Sequence, residues 1–218
     1  MTKVNYGRLT AGLIAVWFLL TLVASTFHVF KTPPDKPPLP LLLAVLIPVG
    51  VFWAWYRSSR SFKAFVLSLN PGTLTMIHSW RLAGFAFLAL YTYGILPGVL
   101  ALPAGWGDIA IGATALLVGM KFSTPKFKKS FIAWQLLGMT DLVTAISLGA
   151  AARFIEPQEL AGPNGITTSP MTVLPLSLIP TFAVPLLLIL HIICIAQAMR
   201  WSEQRYGTVE HAEGSLAA

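Results

Sequence analysis

Ile-His-Ser-Trp-Arg at residues 77–81 and Leu-Pro-Ala-Gly-Trp-Gly-Asp at residues 102–108, separated by a long apolar run, decide the fold. These two motifs carry Arg81 and Asp108, two of the few charges next to or inside hydrocarbon-length segments. The stretch that contains them, residues 70–121, is also rich in glycine and proline, which break helices. Charges and helix breakers at membrane depth are costly because lipid cannot solvate them, so such residues are candidates for function.

The composition is that of a membrane protein. Of the 218 residues, 56% are hydrophobic and only 11% are charged, whereas a soluble domain has about 25% charged residues. A chain with so few charges needs the lipid bilayer as its solvent. The net charge of +7 does not indicate a nucleic-acid partner, because the basic residues lie in short loops rather than on a soluble face. Cys194 is the single cysteine, which excludes an intramolecular disulfide.

The apolar runs predict an all-α polytopic bundle of six transmembrane helices in one domain, residues 1–199. The first run also fits a signal peptide with Val23-Ala24-Ser25 as a cleavage site, but the apolar pattern continues past that site and favours a retained helix. A polar tail, predicted to be cytoplasmic and disordered, follows at residues 200–218. The predicted spans are residues 9–30, 39–56, 75–102, 107–121, 130–152 and 175–199.

Topology follows from the distribution of lysine and arginine over the loops. If six spans place both termini on one side, that side carries most of the basic residues outside the spans. The sequence therefore predicts cytoplasmic termini. The cytoplasmic set is Lys3, Arg8, Arg57, Arg60, Lys63, Lys121, Lys126, Lys128, Lys129, Arg200 and Arg205, against Lys31, Lys36 and Arg153 outside.

The segment 57–69 predicts an amphipathic helix lying on the membrane surface. Phe62, Phe65, Val66 and Leu69 recur at helical spacing on one face, and polar or basic residues occupy the other. The alternative is a basic loop with incidental phenylalanines. Asn-Pro-Gly at residues 70–72 ends the segment.

The third and fourth runs leave two points open. The third helix either begins near Thr73, which places Arg81 about 10 Å deep, or begins at Leu82 and runs to Leu102 with Arg81 as an edge anchor, which we favour. The fourth run, residues 108–120, rises only about 20 Å against a hydrocarbon core of about 30 Å. Either the bilayer is thinner there, or residues 97–107 dip into the membrane from the outer side. We expect a disrupted segment before this span, with Asp108 capping the helix that follows.

A polar layer is the strongest candidate for a binding site. Helix rise places Asp141, His191 and Arg81 about 16, 13 and 10 Å from the cytoplasmic ends, and Gln135 and Asp108 are further candidates. An Arg81–Asp141 ion pair would reduce the cost of both charges. Asp141 is the candidate titrating group, His191 a relay and Arg81 a counter-charge; the alternative is that these groups only fix helix packing.

Two other chemistries were weighed. Gly-Trp-Gly-Asp at residues 105–108 resembles the G-x-G-D motif of intramembrane aspartyl proteases and prepilin peptidases, with Asp141 as the second aspartate. In presenilin-like enzymes the other aspartate precedes that motif and a Pro-Ala-Leu element follows it, and neither holds here. A bis-histidine haem through His78 and His191 is conceivable but not favoured. We predict no cofactor and no metal site.

The pattern from Trp80-Arg81 to Pro-Ala-Gly-Trp-Gly-Asp, ending at Asp108, resembles uncharacterised bacterial multi-pass membrane proteins. The resemblance implies a bacterial cytoplasmic membrane and no mechanism. The leading hypothesis is binding or transport of a small solute or proton. The second is a non-catalytic accessory or scaffold subunit that holds a membrane-protein partner or a second copy of itself, and the third is an intramembrane hydrolase.

Overall fold

A computed structural model describes residues 5–33, 36–152 and 166–201, and these residues form helices and connecting turns with no strand. The all-α class is therefore confirmed. Residues 202–218 of the predicted tail and most of the loop after residue 152 lie outside the described residues. The α-helices are α1 (Tyr6–Thr26), α2 (Leu39–Ser58), α3 (Arg60–Ser68), α4 (Pro71–Ile77), α5 (Phe85–Thr92), α6 (Gly98–Leu117), α7 (Lys128–Ala151) and α8 (Val184–Ala198).

Short helical turns of other types extend several of these helices. A 3₁₀ turn, His78–Gly84, joins α4 to α5, and π-helical turns follow α6 and precede α8 at Val118–Phe122 and Ile179–Ala183. Two further 3₁₀ turns are Pro125–Phe127 and Ser169–Thr172. We call Pro71–Thr92, which comprises α4, the 3₁₀ turn and α5, the third segment.

Five of the described helices are long and apolar enough to cross a bilayer, so the protein is a membrane protein. They are Tyr6–Thr26, Leu39–Ser58, Gly98–Phe122, Pro125–Ala151 and Ile179–Ala198. The third segment is not among them, because its 3₁₀ turn divides it into shorter pieces.

The predicted boundary between the third and fourth spans is wrong. The chain turns at residues 93–97, where Gly94 has a φ of +65°, a conformation that glycine adopts without strain. Pro97 then precedes α6. The end of this turn enters the core: Leu96 is 0% exposed and packs in a core cluster with Phe87 and Leu100, whereas Tyr93 and Ile95 are exposed.

As a consequence, residues 97–107 are not a disrupted segment. α6 runs without a break through Pro103, Gly105 and Gly107. Asp108 therefore lies inside the helix and does not cap it. The favoured reading of a helix from Leu82 to Leu102 is also wrong, since the third segment begins at Pro71, where Asn70 Oδ1 accepts from the Thr73 amide at 3.0 Å.

The predicted amphipathic helix exists as α3, but its apolar face packs against protein. Ser59 caps it by accepting from the Phe62 amide at 3.2 Å. Phe62 and Val66 are buried, and the Phe62 ring stacks on Trp55 with centroids 3.7 Å apart. At the other end, Gln197 of α8 donates to the Val66 carbonyl at 3.0 Å. α3 is thus tied into the bundle and does not rest its apolar face on lipid.

The helices differ greatly in how central they are. In the span Ile179–Ala198, which contains α8, 56% of the most apolar 18-residue stretch is buried, against 11% in α1. α1 contacts the rest mainly through aromatic rings and a hydrogen bond from Ser177 to Ser25 at 2.9 Å. α8 is therefore the central helix, and it carries His191 into the interior.

Candidate functional site

Arg81 is the centre of the site. It lies in the 3₁₀ turn of the third segment and is 2% exposed. Nε donates to Asp108 Oδ1 of α6 at 2.6 Å, Nη1 donates to the Gly138 carbonyl of α7 at 3.2 Å, and Nη2 donates to Asp141 Oδ2 of α7. A planar guanidinium can hold several acceptors in fixed directions, so one side chain joins three helical segments.

The charges of this cluster do not balance. One guanidinium faces the two carboxylates Asp108 and Asp141, whose side chains are 17% and 18% exposed. Each carboxylate uses one oxygen on Arg81, and within the described residues neither second oxygen has a hydrogen-bond donor. With all three groups ionised the formal charge is −1. We call Arg81, Asp108 and Asp141 the Arg81 cluster.

Three glycines make room for the cluster. A Cβ at Gly107 would fall on the carboxylate of Asp141, and one at Gly84 would lie 2.6 Å from Asp108 Cβ. A Cβ at Gly138 would fall on the His191 ring, 3.3 Å from Arg81 Nη1. Real Cβ atoms do not approach neighbours this closely, so the missing side chains let the charged groups meet.

A hydrogen-bonded chain fixes the tautomer of His191. The Thr75 hydroxyl donates its one proton to the Pro71 carbonyl at 2.8 Å. Its oxygen therefore accepts from Gln135 Nε2 at 3.0 Å. Gln135 Oε1 then faces His191 Nδ1 at 2.5 Å, which makes Nδ1 the protonated nitrogen. The lone pair of His191 Nε2 is left facing Arg81 Nη1 at 3.4 Å. Neutral His191 therefore acts as an acceptor that positions Arg81.

His78 lies against this network without joining it. Its ring stacks on His191 with centroids 3.9 Å apart, and Trp134 lies 5.9 Å away. His78 is 0% exposed, and neither ring nitrogen has a hydrogen-bond partner. A haem iron held by two histidines lies between their rings. Because His78 and His191 stack directly on each other, this arrangement has no space for a porphyrin between them.

The structure brings together all five residues that the sequence singled out. Arg81, Asp108 and Asp141 form the cluster, and His191 and Gln135 form the chain behind it. Sequence reasoning missed Thr75 and the role of Gly107. Nothing in the sequence pointed to Thr75. The Trp-x-x-x-Gly spacing at residues 80–84, which recurs at 134–138, is a signal that indicates Gly84 and Gly138 as close-packing positions.

A cavity of about 70 Å³, which we call the cleft, reaches the two carboxylates. That volume holds several water molecules. Its walls come from α6, α7, the start of α2, Phe87 of α5 and the start of the last helical segment. Its far end lies at Thr168–Thr172 and the C-terminal end of α7. Asp108 and Asp141 are the charged residues among the lining residues, so they form the charged end of a largely apolar cleft.

Comparison with known proteins assigns a family but no activity. Residues 37–199 match the family model described as Domain of unknown function (DUF8737), and the chain therefore belongs to that family. No curated protein and no solved structure matches the chain. The matched range contains the whole site and excludes α1.

Proposed function

We propose that this member of the DUF8737 family binds and translocates a proton or a small cationic solute at the Arg81 cluster. In this proposal the third segment completes a six-span bundle with both termini in the cytoplasm of a bacterial cell. Asp141 is the group that gains and loses the proton or cation. The observation that carries the proposal is the unbalanced charge of the cluster, whose two carboxylate residues line the cleft.

The depth of the cluster supports a membrane-embedded site. Asp141 is 13 positions after Lys128, the first residue of α7, and 10 positions before Ala151, the last. At 1.5 Å per residue these intervals are about 20 and 15 Å, close to the middle of a hydrocarbon core of about 30 Å. An unbalanced charge at this depth is costly, so binding a proton or cation there is favourable.

The charge distribution supports access from outside the cell. The cleft ends at Gly149, Ala150 and the residues 168–172. In the proposed topology these positions face away from the lysine-rich loop at residues 121–129, which is cytoplasmic by the positive-inside rule. A proton or cation would reach Asp141 from the outer side.

The geometry favours transport over hydrolysis. An aspartyl protease needs two carboxylates that share a proton and activate one water molecule. Here Asp108 and Asp141 each accept a hydrogen bond from the guanidinium between them. That arrangement stabilises two separate carboxylates and opposes a shared proton.

A second candidate function, an accessory or scaffold subunit, is favoured by one observation. All three nitrogens of Arg81 have acceptors, as expected for a group that only holds helices together. Purification in a mild detergent tests this role: a stable stoichiometric partner, together with native proton flux no higher than in empty liposomes, would support it.

Proton flux into liposomes that contain purified protein and a trapped pH-sensitive dye tests the transport proposal. We expect native protein to carry flux down an imposed pH gradient and Asp141→Asn to abolish it while the helical content stays native. Thr140→Val is the matched control, because Thr140 is exposed on the same helix and its hydroxyl bonds only to its own helix. Equal flux in the native and Asp141→Asn proteins would refute the proposal.

A further inference from the structure

The shape of the cleft indicates what kind of molecule it accepts. Its lining residues on α6 and α7 repeat every four positions, so the cleft follows one face of each helix for two turns. The eight positions from Asp141 to Gly149 give it a length of about 12 Å. These residues are Leu100, Ala104 and Asp108 on α6 and Asp141, Ala145 and Gly149 on α7.

The inner end of the cleft differs in chemistry from its walls. At the inner end are Asp108 and Asp141, part of a cluster with a formal charge of −1 when all three groups are ionised. Along its length the walls are apolar, with Phe87, Leu142 and Val184 among them. Alanine and glycine on α6 and α7 keep it open, because a larger side chain there would fill it.

We propose that the cleft binds a small primary alkylammonium ion. The ammonium group donates to the free oxygens of Asp108 and Asp141, and the alkyl chain lies along α7 towards Gly149. This inference rests on the proposed function, because it names the substrate class of the same site. The cation brings the formal charge of the Arg81 cluster to zero, and the apolar walls cover its alkyl chain.

Other ligand classes fit less well. Ca²⁺ and Mg²⁺ take six or more oxygen ligands, which the apolar walls do not supply, and the described residues contain no group of three or more His, Cys, Asp or Glu that could hold another metal ion. An anion would face a cluster that is already negative. A neutral alcohol could occupy the walls but would leave the charge of the cluster unbalanced. The combination of an apolar cleft with a negative end therefore selects an amphiphilic cation.

Equilibrium dialysis of n-hexylammonium against the purified full-length protein in detergent tests the inference, with empty micelles as the blank. We expect saturable binding of one ion per chain and binding of 1-hexanol and hexanoate at least about tenfold weaker, a factor that corresponds to about 1.4 kcal/mol. This comparison uses only native protein, so it holds whether or not a variant folds. Equal binding of hexylammonium and hexanol would overturn the inference.

Two variants of α7 locate the bound ion. Ala145→Phe fills the cleft, and we expect it to weaken hexylammonium binding at least about tenfold. Val143→Phe adds the same ring at a half-exposed position of α7 that does not line the cleft, and we expect native binding. Equal affinities in these two variants would overturn the location.

Measuring proton flux on the same preparation separates the two proposals. If native protein shows Asp141-dependent proton flux but no saturable hexylammonium binding, the alkylammonium inference fails and the proposed function stands. If hexylammonium binds saturably and Asp141→Asn abolishes that binding, but proton flux matches that of empty liposomes, the binding site stands and proton translocation fails.

Discussion

Replacing Gly107 with alanine tests whether close packing of α6 on α7 holds the Asp141 carboxylate against Arg81. The added methyl group would occupy the position of that carboxylate, and even its farther oxygen, Oδ2, would lie only 3.0 Å away. Asp141 would have to turn away from Arg81 Nη2, and its hydrogen bond to the guanidinium would break. The change is therefore small in size but acts on the central ion pair.

The expected cost combines two opposing terms. Removing one partner of a buried ion pair costs about 3–5 kcal/mol, whereas alanine is favoured over glycine in a helix by about 1 kcal/mol. Asp141 is displaced rather than deleted, and its carboxylate can turn towards the cleft, so the lower end of the range applies. We expect Gly107→Ala to lower the free energy of unfolding by about 2 kcal/mol.

Unfolding by dodecyl sulfate in mixed micelles, followed by circular dichroism, measures this change. The matched control is Gly50→Ala in α2, where a Cβ would have no neighbour within 4 Å, and we expect it to be neutral or slightly stabilising. The Asp141→Ala background gives the sharper test, because there the methyl group meets no carboxylate. In that background only the helix preference of alanine remains, so Gly107→Ala should stabilise by about 1 kcal/mol, which makes the coupling about 3 kcal/mol. An equal cost of Gly107→Ala in both backgrounds would refute the reasoning.

Two further predictions concern the guanidinium and its acceptor. Arg81→Lys should lower the free energy of unfolding by more than about 2 kcal/mol, because one ammonium group cannot reproduce the planar fork of a guanidinium. The control Arg57→Lys, at an exposed position, should change it by less than about 0.5 kcal/mol. Similar losses in the two variants would contradict the assigned geometry. Nitrogen-15 NMR of histidine-labelled protein should show neutral His191 with its proton on Nδ1, and a proton on Nε2 would contradict the assigned hydrogen-bond chain.

The sequence could predict most helices because their apolar runs end at polar residues. The predicted span 39–56 corresponds to α2, Leu39–Ser58, and the predicted span 130–152 corresponds to α7, Lys128–Ala151. The prediction failed between the third and fourth spans, where the turn at residues 93–97 is apolar and contains no charged residue. Leu96 packs inside the protein, so hydropathy could not reveal that the chain reverses there.

Part of the site was predictable for an electrostatic reason. An unpaired arginine or aspartate at membrane depth has a large unfavourable free energy, so the pairing of Arg81 with Asp141 follows from that energy alone. Asp108 was expected as a helix cap because Gly105 and Gly107 resemble a turn. In the structure these glycines serve helix packing instead, and only three-dimensional proximity distinguishes the two uses.

The two sides of the Arg81 cluster differ in rigidity, and that difference bears on how binding could become movement. On one side, His191 and its chain through Gln135 hold Arg81 with neutral groups whose donors and acceptors are already matched. On the other side, the bond to Asp141 depends on a charge that a proton or ammonium ion would neutralise or share. Charge-assisted hydrogen bonds are about twice as strong as neutral ones. Occupation of the site would therefore weaken the ionic tie from Arg81 to α7 while the neutral bond to the Gly138 carbonyl and the ionic bond to Asp108 persist. In the proposed function, binding at Asp141 thus weakens the attachment of Arg81 to α7 relative to its attachment to α6. These two helices contribute walls of the cleft.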